Sequence, residues 1–291
     1  MGKVLKSSDR ASGAQVAPAA PALLASPAWL WMTLFFLLPL GIVLAYSFLS
    51  KGDYGGVAAP LTFGNYRRFF DAIYLRILVR TFVMAGVTTA LCLALGYPLA
   101  YYIAFHGGRW KSALLFLVVL PFWTSFLVRT YAWIFLLRDT GLINTVLIRL
   151  GWIRVPLPLL YNDGAVLVGL VYGFLPLMVL PLYASIERLD KTLLEAAADL
   201  GAPPAARLAR VTVPLTLPGI YAGCVLVFVS ALGAYITPDL LGGGKSILIG
   251  NLVQNQFTTA RDWPFGSAVS LLLMAVVVAS LQLYRRQGEL M

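Results

Sequence analysis

Long apolar segments alternate with short polar segments along most of the chain. A helix needs about 20 predominantly apolar residues to cross the hydrocarbon core of a membrane. Six segments meet that requirement, and only the third contains a charged residue, Arg129. The pattern therefore predicts an all-α integral membrane protein with six transmembrane helices, at residues 28–48, 81–105, 112–137, 165–186, about 214–236 and 263–284.

Little of the chain lies outside these spans, so the sequence predicts one membrane domain over residues 28–285. Residues 1–27 are rich in Ala, Pro and Ser and carry three basic residues, which is typical of a disordered tail. The first apolar run has 21 uncharged residues, whereas the apolar region of a signal peptide has about 7–15. We therefore expect this run to remain as a span, and residues 286–291 to form a short C-terminal tail.

Composition agrees with a membrane protein and excludes other classes. Hydrophobic residues make up 60% of the 291 residues and charged residues 12%, whereas a soluble domain has about 25% charged residues. The formal net charge of +10 comes from basic residues scattered through the loops, so no nucleic-acid partner is expected. Cys92 and Cys224 lie inside apolar runs, where we expect them to act as small packing residues.

Charge alone does not orient the chain. An even number of spans places both termini on the same side of the membrane. With the N-terminus inside, eleven Lys and Arg residues lie in inside segments and ten in outside loops. The positive-inside rule therefore does not decide between the two orientations.

The loop after the fourth predicted span, residues 187–214, carries the most specific pattern in the chain. Strong helix formers at 191–200 predict a short helix, and Gly201 is expected to end it in a left-handed conformation. Pro203 and Pro204 then begin a second short helix. Two short helices joined by a glycine make a compact knob that fits a groove on a partner. The residues that define the pattern are Glu195, Ala196, Ala197, Gly201, Val211, Val213 and Pro214.

This spacing resembles the EAA loop of ABC-importer permeases, with Val211 and Val213 where Ile and Leu are usual. The resemblance implies the type I ABC importer (MetI-like) permease fold, with the knob as the helix that couples the spans to a cytoplasmic ATPase. It places the loop, and hence both termini, in the cytoplasm. An ordinary interfacial helix has no reason to carry this spacing of Gly and Pro.

Further runs at 129–133, 173–181, 235–243, 249–251 and 261–266 resemble the PotB-type permeases of spermidine/putrescine importers. That family implies a heterodimer with a second, PotC-type permease in the bacterial inner membrane, two ATPase subunits and a periplasmic substrate-binding protein. It implies that the ATPase subunits bind ATP and Mg²⁺, with no cofactor in this chain. We therefore expect a polyamine, spermidine or putrescine, as the substrate. The alternative is an opine, an aminophosphonate or another small amine-containing compound, because relatives of this branch move such substrates.

A path for a polycation needs carboxylates and aromatic rings, because both attract ammonium groups. Asp239 lies just beyond the fifth predicted span, and Tyr235 precedes it by one helical turn. The alternative for Asp239 is a helix cap or a loop charge, and the alternative for each aromatic is lipid contact, interfacial anchoring or helix packing. The other aromatic candidates are Tyr131, Trp133, Tyr172 and Phe228.

Arg129 is the charged residue within a predicted span, where a charge costs about 2.5–3.5 kcal/mol on insertion scales. One interpretation is structural: Arg129 reaches the membrane surface or pairs with an acid such as Asp139. The other is functional: Arg129 holds the carboxylate of a substrate such as an opine. We favour the structural interpretation.

Other functional classes find little support. Gly244, Lys245 and Ser246 resemble the end of a phosphate-binding loop, but position 239 is Asp where that motif requires Gly. ATP hydrolysis is therefore assigned to a separate subunit. The only histidine is His106, and no His/Cys/Glu cluster has metal-ligand spacing, so neither an enzyme nor a metal site is expected. A secondary carrier is disfavoured because the spans hold no acid and no internal repeat is detected.

Overall fold

The computed structural model describes residues 19–288, and the predictions for 1–18 and 289–291 lie outside this range. The first apolar rod consists of α1 (Ala19–Met32), a π-helical turn (Thr33–Leu37) and α2 (Leu38–Ser47). Residues 19–27 are thus helical, where the sequence pattern predicts the end of a disordered tail. The π-helical turn ends two residues before Pro39, whose missing N–H interrupts regular hydrogen bonding.

A small cap follows the first rod. An antiparallel hairpin joins β1 (Ser50–Lys51) to β2 (Val57–Ala58), and α3 (Gly64–Phe69) comes next. The cap is bound to the start of the last helix: Arg68 forms an ion pair with Asp262 at 2.7 Å. The predicted spans gave no sign of this cap, because its strands are two residues long.

The second and third spans differ in continuity. Helix α4 (Ala72–His106) is unbroken over 35 residues. A 3₁₀ turn (Gly108–Trp110) then leads to α5 (Lys111–Val119), a second 3₁₀ turn (Leu120–Trp123) and α6 (Phe126–Leu137). The prediction of one helix over 112–137 is therefore wrong. Pro121 lies in the second turn, and Thr124 is extended before α6 begins at Phe126.

The remaining helices complete the bundle. Helix α8 begins where the Asn162 side chain accepts a hydrogen bond from the Ala165 N–H at 2.9 Å, which caps it. In chain order the helices are α7 (Leu142–Arg149), α8 (Asp163–Glu187), α9 (Lys191–Asp199), α10 (Pro204–Arg207), a π-helical turn (Leu208–Thr212), α11 (Val213–Leu215), α12 (Leu217–Leu232), α13 (Ile236–Gly242), α14 (Ile249–Phe257) and α15 (Trp263–Gly288).

The helical membrane fold is confirmed, but the count of six spans is not. Within residues 19–288, four helices are long and apolar enough to cross a membrane: Ser26–Ser47, Ala72–His106, Phe126–Arg149 and Asp163–Glu187. A fifth is obtained if Pro204–Leu215 and Leu217–Leu232, which meet at an angle of 69°, form one broken span. The apolar part of the last helix, Trp263–Ala279, is shorter.

Helices α4, α8 and α12 form the centre of the bundle. Their shared core contains Cys92, Met178, Leu182 and Val227, all fully buried, with Cys224 packed beside them. The prediction that both cysteines are packing residues is thereby confirmed. A side chain at Gly223 would collide with Met178, so this glycine permits the close approach of α12 to α8.

Candidate functional site

The knob predicted for residues 187–214 is present, and its first helix is α9. The Asp190 carboxylate caps this helix by accepting a hydrogen bond from the Thr192 N–H at 2.9 Å. That hydrogen bond to the charged form lowers the pKa of Asp190. Glu195 and Ala196 are exposed on α9, and Ala197 is half-buried.

Gly201 ends α9 in the predicted left-handed conformation, with φ of +78°. The Gly201 N–H donates to the Ala198 carbonyl at 2.9 Å, and the Ala202 N–H donates to the Ala197 carbonyl at 3.0 Å. This pair of hydrogen bonds is the Schellman motif, which satisfies carbonyls at a helix end. The turn leaves Leu200 at the tip of the knob, 88% exposed.

The second half of the knob departs from the predicted boundaries. Helix α10 begins at Pro204 as expected, but Pro214 does not open the fifth span. Pro214 is exposed within the three-residue helix α11, and the chain breaks at Thr216 before α12 begins at Leu217. The predicted span at about 214–236 is thus shorter, and it meets the knob at 69°.

Two contacts hold the base of the knob against the bundle. The Tyr97 and Thr216 hydroxyls are 3.0 Å apart, and the Thr216 hydroxyl donates to the Thr212 carbonyl at 2.8 Å. Since a hydroxyl has one proton, Tyr97 is the donor to Thr216. Lys111 forms an ion pair with Glu187 at 2.7 Å, which joins the start of α5 to the end of α8. Sequence analysis missed both contacts, because nothing local pairs residues so far apart in the chain.

At the opposite end of the bundle, Asp239 lines an open cavity of about 350 Å³. Its wall combines one carboxylate with amide side chains and an aromatic ring, an assortment that suits an ammonium group. The residues that form the wall are Ile73, Tyr74, Ile77, Pro238, Asp239, Gly244, Ser246, Ile247, Asn251, Leu252, Gln254 and Asn255. We name it the Asp239 cavity.

Tyr235 lies one turn before Asp239, as predicted, because the Asp239 N–H donates to the Tyr235 carbonyl at 3.0 Å. The Tyr235 side chain is nevertheless not in the wall of the Asp239 cavity, where Tyr74 supplies the aromatic ring. Instead, the Tyr235 carbonyl accepts a hydrogen bond from the Asn251 side chain at 2.7 Å. Sequence reasoning missed Tyr74 and Asn251, since they reach the cavity from other helices.

The segment after α13 is fixed by a network at the same end. The Arg80 guanidinium pairs with the Asp163 carboxylate at 2.6 Å and donates to the Lys245 carbonyl at 2.9 Å. The Ser246 hydroxyl also donates to Asp163. The glycine-rich segment that resembles a phosphate-binding loop is thus held beside a carboxylate, which repels phosphate.

The structure brings together three of the predicted path residues. Trp133 and Tyr172 make an edge-to-face contact with ring centroids 5.6 Å apart, and both line a small cavity with Arg129. Phe228 lies apart, edge to face with Phe82 at 5.8 Å. Tyr131 is also outside the wall of this cavity and is half-exposed on α6.

The surroundings of Arg129 match neither of the two interpretations made from the sequence. Its guanidinium lies 5.6 Å from the ring centre of Phe122 and 5.5 Å from that of Phe126. The Nε and Nη1 atoms are buried without a hydrogen-bond partner. The suggested pair with Asp139 is not among the ion pairs within residues 19–288, since the eight residues from Arg129 to the end of α6 at Leu137 span about 12 Å and Asp139 lies beyond that end.

Comparison with known proteins identifies the family of the chain. Residues 96–287 match the family described as "Binding-protein-dependent transport system inner membrane component". The chain is 44% identical over 261 residues to the spermidine/putrescine transport system permease protein PotB of Haemophilus influenzae, covering 90% of this chain and 91% of that protein. Identity to PotB of Escherichia coli is also 44%, over 90% and 95% of the two chains.

More distant proteins extend the comparison. The inner membrane ABC transporter permease protein YdcU of Escherichia coli is 33% identical over 272 residues, with 89% of this chain and 87% of that protein covered. A chain of a bacterial ABC transporter for the acidic polysaccharide alginate superposes with a TM-score of 0.73 at 16% identity, covering 93% and 95% of the two chains. This last likeness shows the fold alone. The chain therefore belongs to the inner membrane permease components of binding-protein-dependent ABC importers and, among them, to the PotB-type permeases.

Proposed function

We propose that this permease forms half of a translocation path for a small polyamine, spermidine or putrescine. The observation that supports these two substrates is the 44% identity, over 90% of the chain, to permeases named for them. The chemistry of the Asp239 cavity supports it, because one carboxylate and several amide oxygens can receive the N–H groups of an ammonium.

The chain crosses the bacterial inner membrane six times in this proposal. The third crossing is the broken pair α5 and α6, the fifth is α12 after its 69° bend from the knob, and the sixth is α15. Broken helices are tolerated at membrane depth where the irregular backbone is covered by protein. Both termini and the knob lie in the cytoplasm, and the Asp239 cavity faces the periplasm.

The knob is the site where this chain docks on an ATPase. Its exposed apolar tip, Leu200, and the exposed Glu195 and Ala196 offer an apolar anchor beside a charge. Two ATPase subunits bind ATP and Mg²⁺, a PotC-type permease completes the membrane dimer, and a periplasmic protein delivers the substrate. The alginate importer, whose chain has the same fold, has been solved with a substrate-bound periplasmic protein, which supports the last of these partners.

Substrate would enter the translocation path at the Asp239 cavity and then pass the core formed by α4, α8 and α12. At an effective dielectric of about 20, a carboxylate 4 Å from an ammonium group attracts it by about 4 kcal/mol. Part of this attraction is lost because both groups are desolvated. The remaining binding is weak enough for the substrate to be released. Trp133, Tyr172 and Phe228 are further contacts on the proposed path, and Tyr131 is a fourth on the exposed side of α6.

A substrate with a carboxylate as well as an amine, such as an opine or an aminophosphonate with its anionic group, is the second candidate. The observation in its favour is Arg129, whose Nε and Nη1 atoms lack hydrogen-bond partners. The two candidates differ in net charge, so the ligand of the cognate periplasmic protein distinguishes them.

The test measures both ligand binding and transport. The periplasmic protein encoded beside this permease is titrated with spermidine, putrescine and an opine by calorimetry. The permease is then reconstituted with its second permease and ATPase in liposomes, and ATP-dependent uptake of the labelled ligand is followed. Binding and uptake of a polyamine are expected. Binding of an anionic ligand alone would contradict the polyamine proposal.

A further inference from the structure

Arg129 carries a positive charge that has no ion-pair partner among residues 19–288. An arginine guanidinium stays protonated in proteins, so burial cannot be relieved by loss of a proton. Its Nε and Nη1 atoms are buried and have no hydrogen-bond partner. A buried charge of this kind requires pairing to be tolerated.

The acids that the structure describes do not supply the pairing. The suggested Asp139 lies beyond the end of α6 and forms no ion pair with Arg129. Within residues 19–288, the ion pairs that form engage other basic residues: Arg68 with Asp262, Arg80 with Asp163, and Lys111 with Glu187.

The immediate surroundings attract the cation but do not neutralise it. The rings of Phe122 and Phe126 lie within 5.6 Å of the guanidinium carbon, which is cation–π distance. The cavity that Arg129 shares with Trp133 and Tyr172 has about 10 Å³ for a solvent centre, enough for a single water. A water can accept hydrogen bonds from the guanidinium N–H groups, yet it carries no charge. Arg129 also lies in the first turn of α6, whose positive end raises the demand for an anion.

Leu127, Val128, Tyr131 and Phe135 form an exposed apolar face of α6. At about 100° per residue, Arg129 lies at the edge of this face, between it and the side of the helix that shares a cavity with Tyr172 of α8. Lipid tails could cover these side chains, but lipid tails contain no anion. A helix of a neighbouring subunit that carries an acid would both cover the apolar face and pair with the charge of Arg129.

We propose that Arg129 is a carboxylate-binding site that the second permease completes in the assembled importer, by placing an Asp or Glu side chain against this face of α6. This inference rests on the proposed function, since it requires a second permease. It makes Arg129 a residue of the permease–permease interface rather than of the amine path. It also explains how a polyamine importer tolerates an arginine beside Trp133 and Tyr172.

The first test compares assembly of the importer with substituted chains. Arg129→Gln is expected to reduce co-purification of the second permease by about tenfold or more, because it leaves the partner's acid unpaired. Arg129→Lys keeps the charge and is expected to recover part of the assembly. The matched control is Arg138→Gln, since Arg138 follows the same helix, lies 5.3 Å from the Phe135 ring and is exposed. The control is expected to assemble as the wild type does.

The second test identifies the anion. Cells that carry Arg129→Glu are selected for restored uptake, and suppressors are expected to replace an acid of the second permease with Lys or Arg. Normal assembly and uptake by Arg129→Gln would overturn the inference, because one water would then suffice. Normal assembly with lost uptake, and no suppressor in the second permease, would also overturn it and indicate a substrate carboxylate or a lipid phosphate. Failure of the wild-type chain to assemble with a second permease would instead contradict the proposed function itself.

Discussion

At the residue scale, the knob depends on one backbone conformation, that of Gly201. Its φ of +78° costs a non-glycine residue about 1–2 kcal/mol, and a Cβ at this position would meet nothing within 4 Å. Within this chain, the cost of a substitution is therefore conformational and not steric. A bulky side chain would in addition alter the surface that we propose docks on the ATPase. Asn tolerates the left-handed region better than other residues do.

We accordingly expect Gly201→Trp to abolish substrate-stimulated ATP hydrolysis in the assembled importer, while the subunit still inserts into the membrane. Gly201→Asn is the control and should retain most of the stimulation. The measurement is ATPase activity of the purified complex with and without the loaded periplasmic protein. Full stimulation in Gly201→Trp would show that this loop does not couple the two subunits.

Asp239 supports a second prediction at the same scale. Asp239→Asn keeps the shape of the cavity and removes its carboxylate, so polyamine uptake at limiting substrate should fall by about tenfold, which corresponds to 1.4 kcal/mol. ATP hydrolysis by the assembled complex should remain. Asp53→Asn, which changes another exposed acid in the hairpin cap, is the control. Equal uptake by Asp239→Asn and wild type would remove Asp239 from the path.

At the element scale, the 69° break between the knob and α12 is held by the hydroxyls of Tyr97 and Thr216. Thr216 is fully buried, and its hydroxyl both accepts from Tyr97 and donates to the Thr212 carbonyl. The angle at which the knob meets the span thus depends on a contact with α4. In the proposed coupling, movement of the ATPase reaches the spans as a rigid-body rotation only if this angle is maintained.

Tyr97→Phe should lower the number of substrate molecules transported per ATP, with basal ATP hydrolysis preserved. Thr216→Val should destabilise the subunit more, by about 1–3 kcal/mol, because it leaves the hydroxyl of the half-buried Tyr97 without its partner. The double variant should cost less than the sum of the single variants. Thermal unfolding and the transport-to-hydrolysis ratio measure these effects, and Tyr102→Phe on the exposed side of α4 is the control. Additive effects would mean that the two hydroxyls do not act together.

At the scale of the whole molecule, the chain should behave as one part of a larger assembly. Purified alone, it should hydrolyse no ATP, because Ser246 of its glycine-rich segment is bound to Asp163 and position 239 lacks the required Gly. Co-expression with a second permease and an ATPase should give a stable core of two permeases and two ATPases. Mass determination in detergent and ATPase assays check both expectations. Transport by a homodimer of this chain would contradict the heterodimer.

The sequence by itself determined the class of the protein, the positions of its uninterrupted spans and the glycine turn of the knob. The apolar runs at 81–105 and 165–186 lie inside α4 and α8, because a helix that buries its backbone in lipid needs only a run of apolar side chains. Gly201 was equally predictable, since the conformation that it adopts is a property of one residue and its neighbours.

Only the tertiary structure decided the break between α5 and α6, the bend at Thr216 and the surroundings of Asp239 and Arg129. Proline in an apolar run allows either a continuous or a broken helix, and the neighbours that receive the freed backbone groups make the choice. The Asp239 cavity joins side chains from residues 73 to 255, and the hydroxyl that fixes the bend lies 119 residues from its partner. Such contacts follow from the packing of whole helices, and the local pattern of a sequence does not contain them.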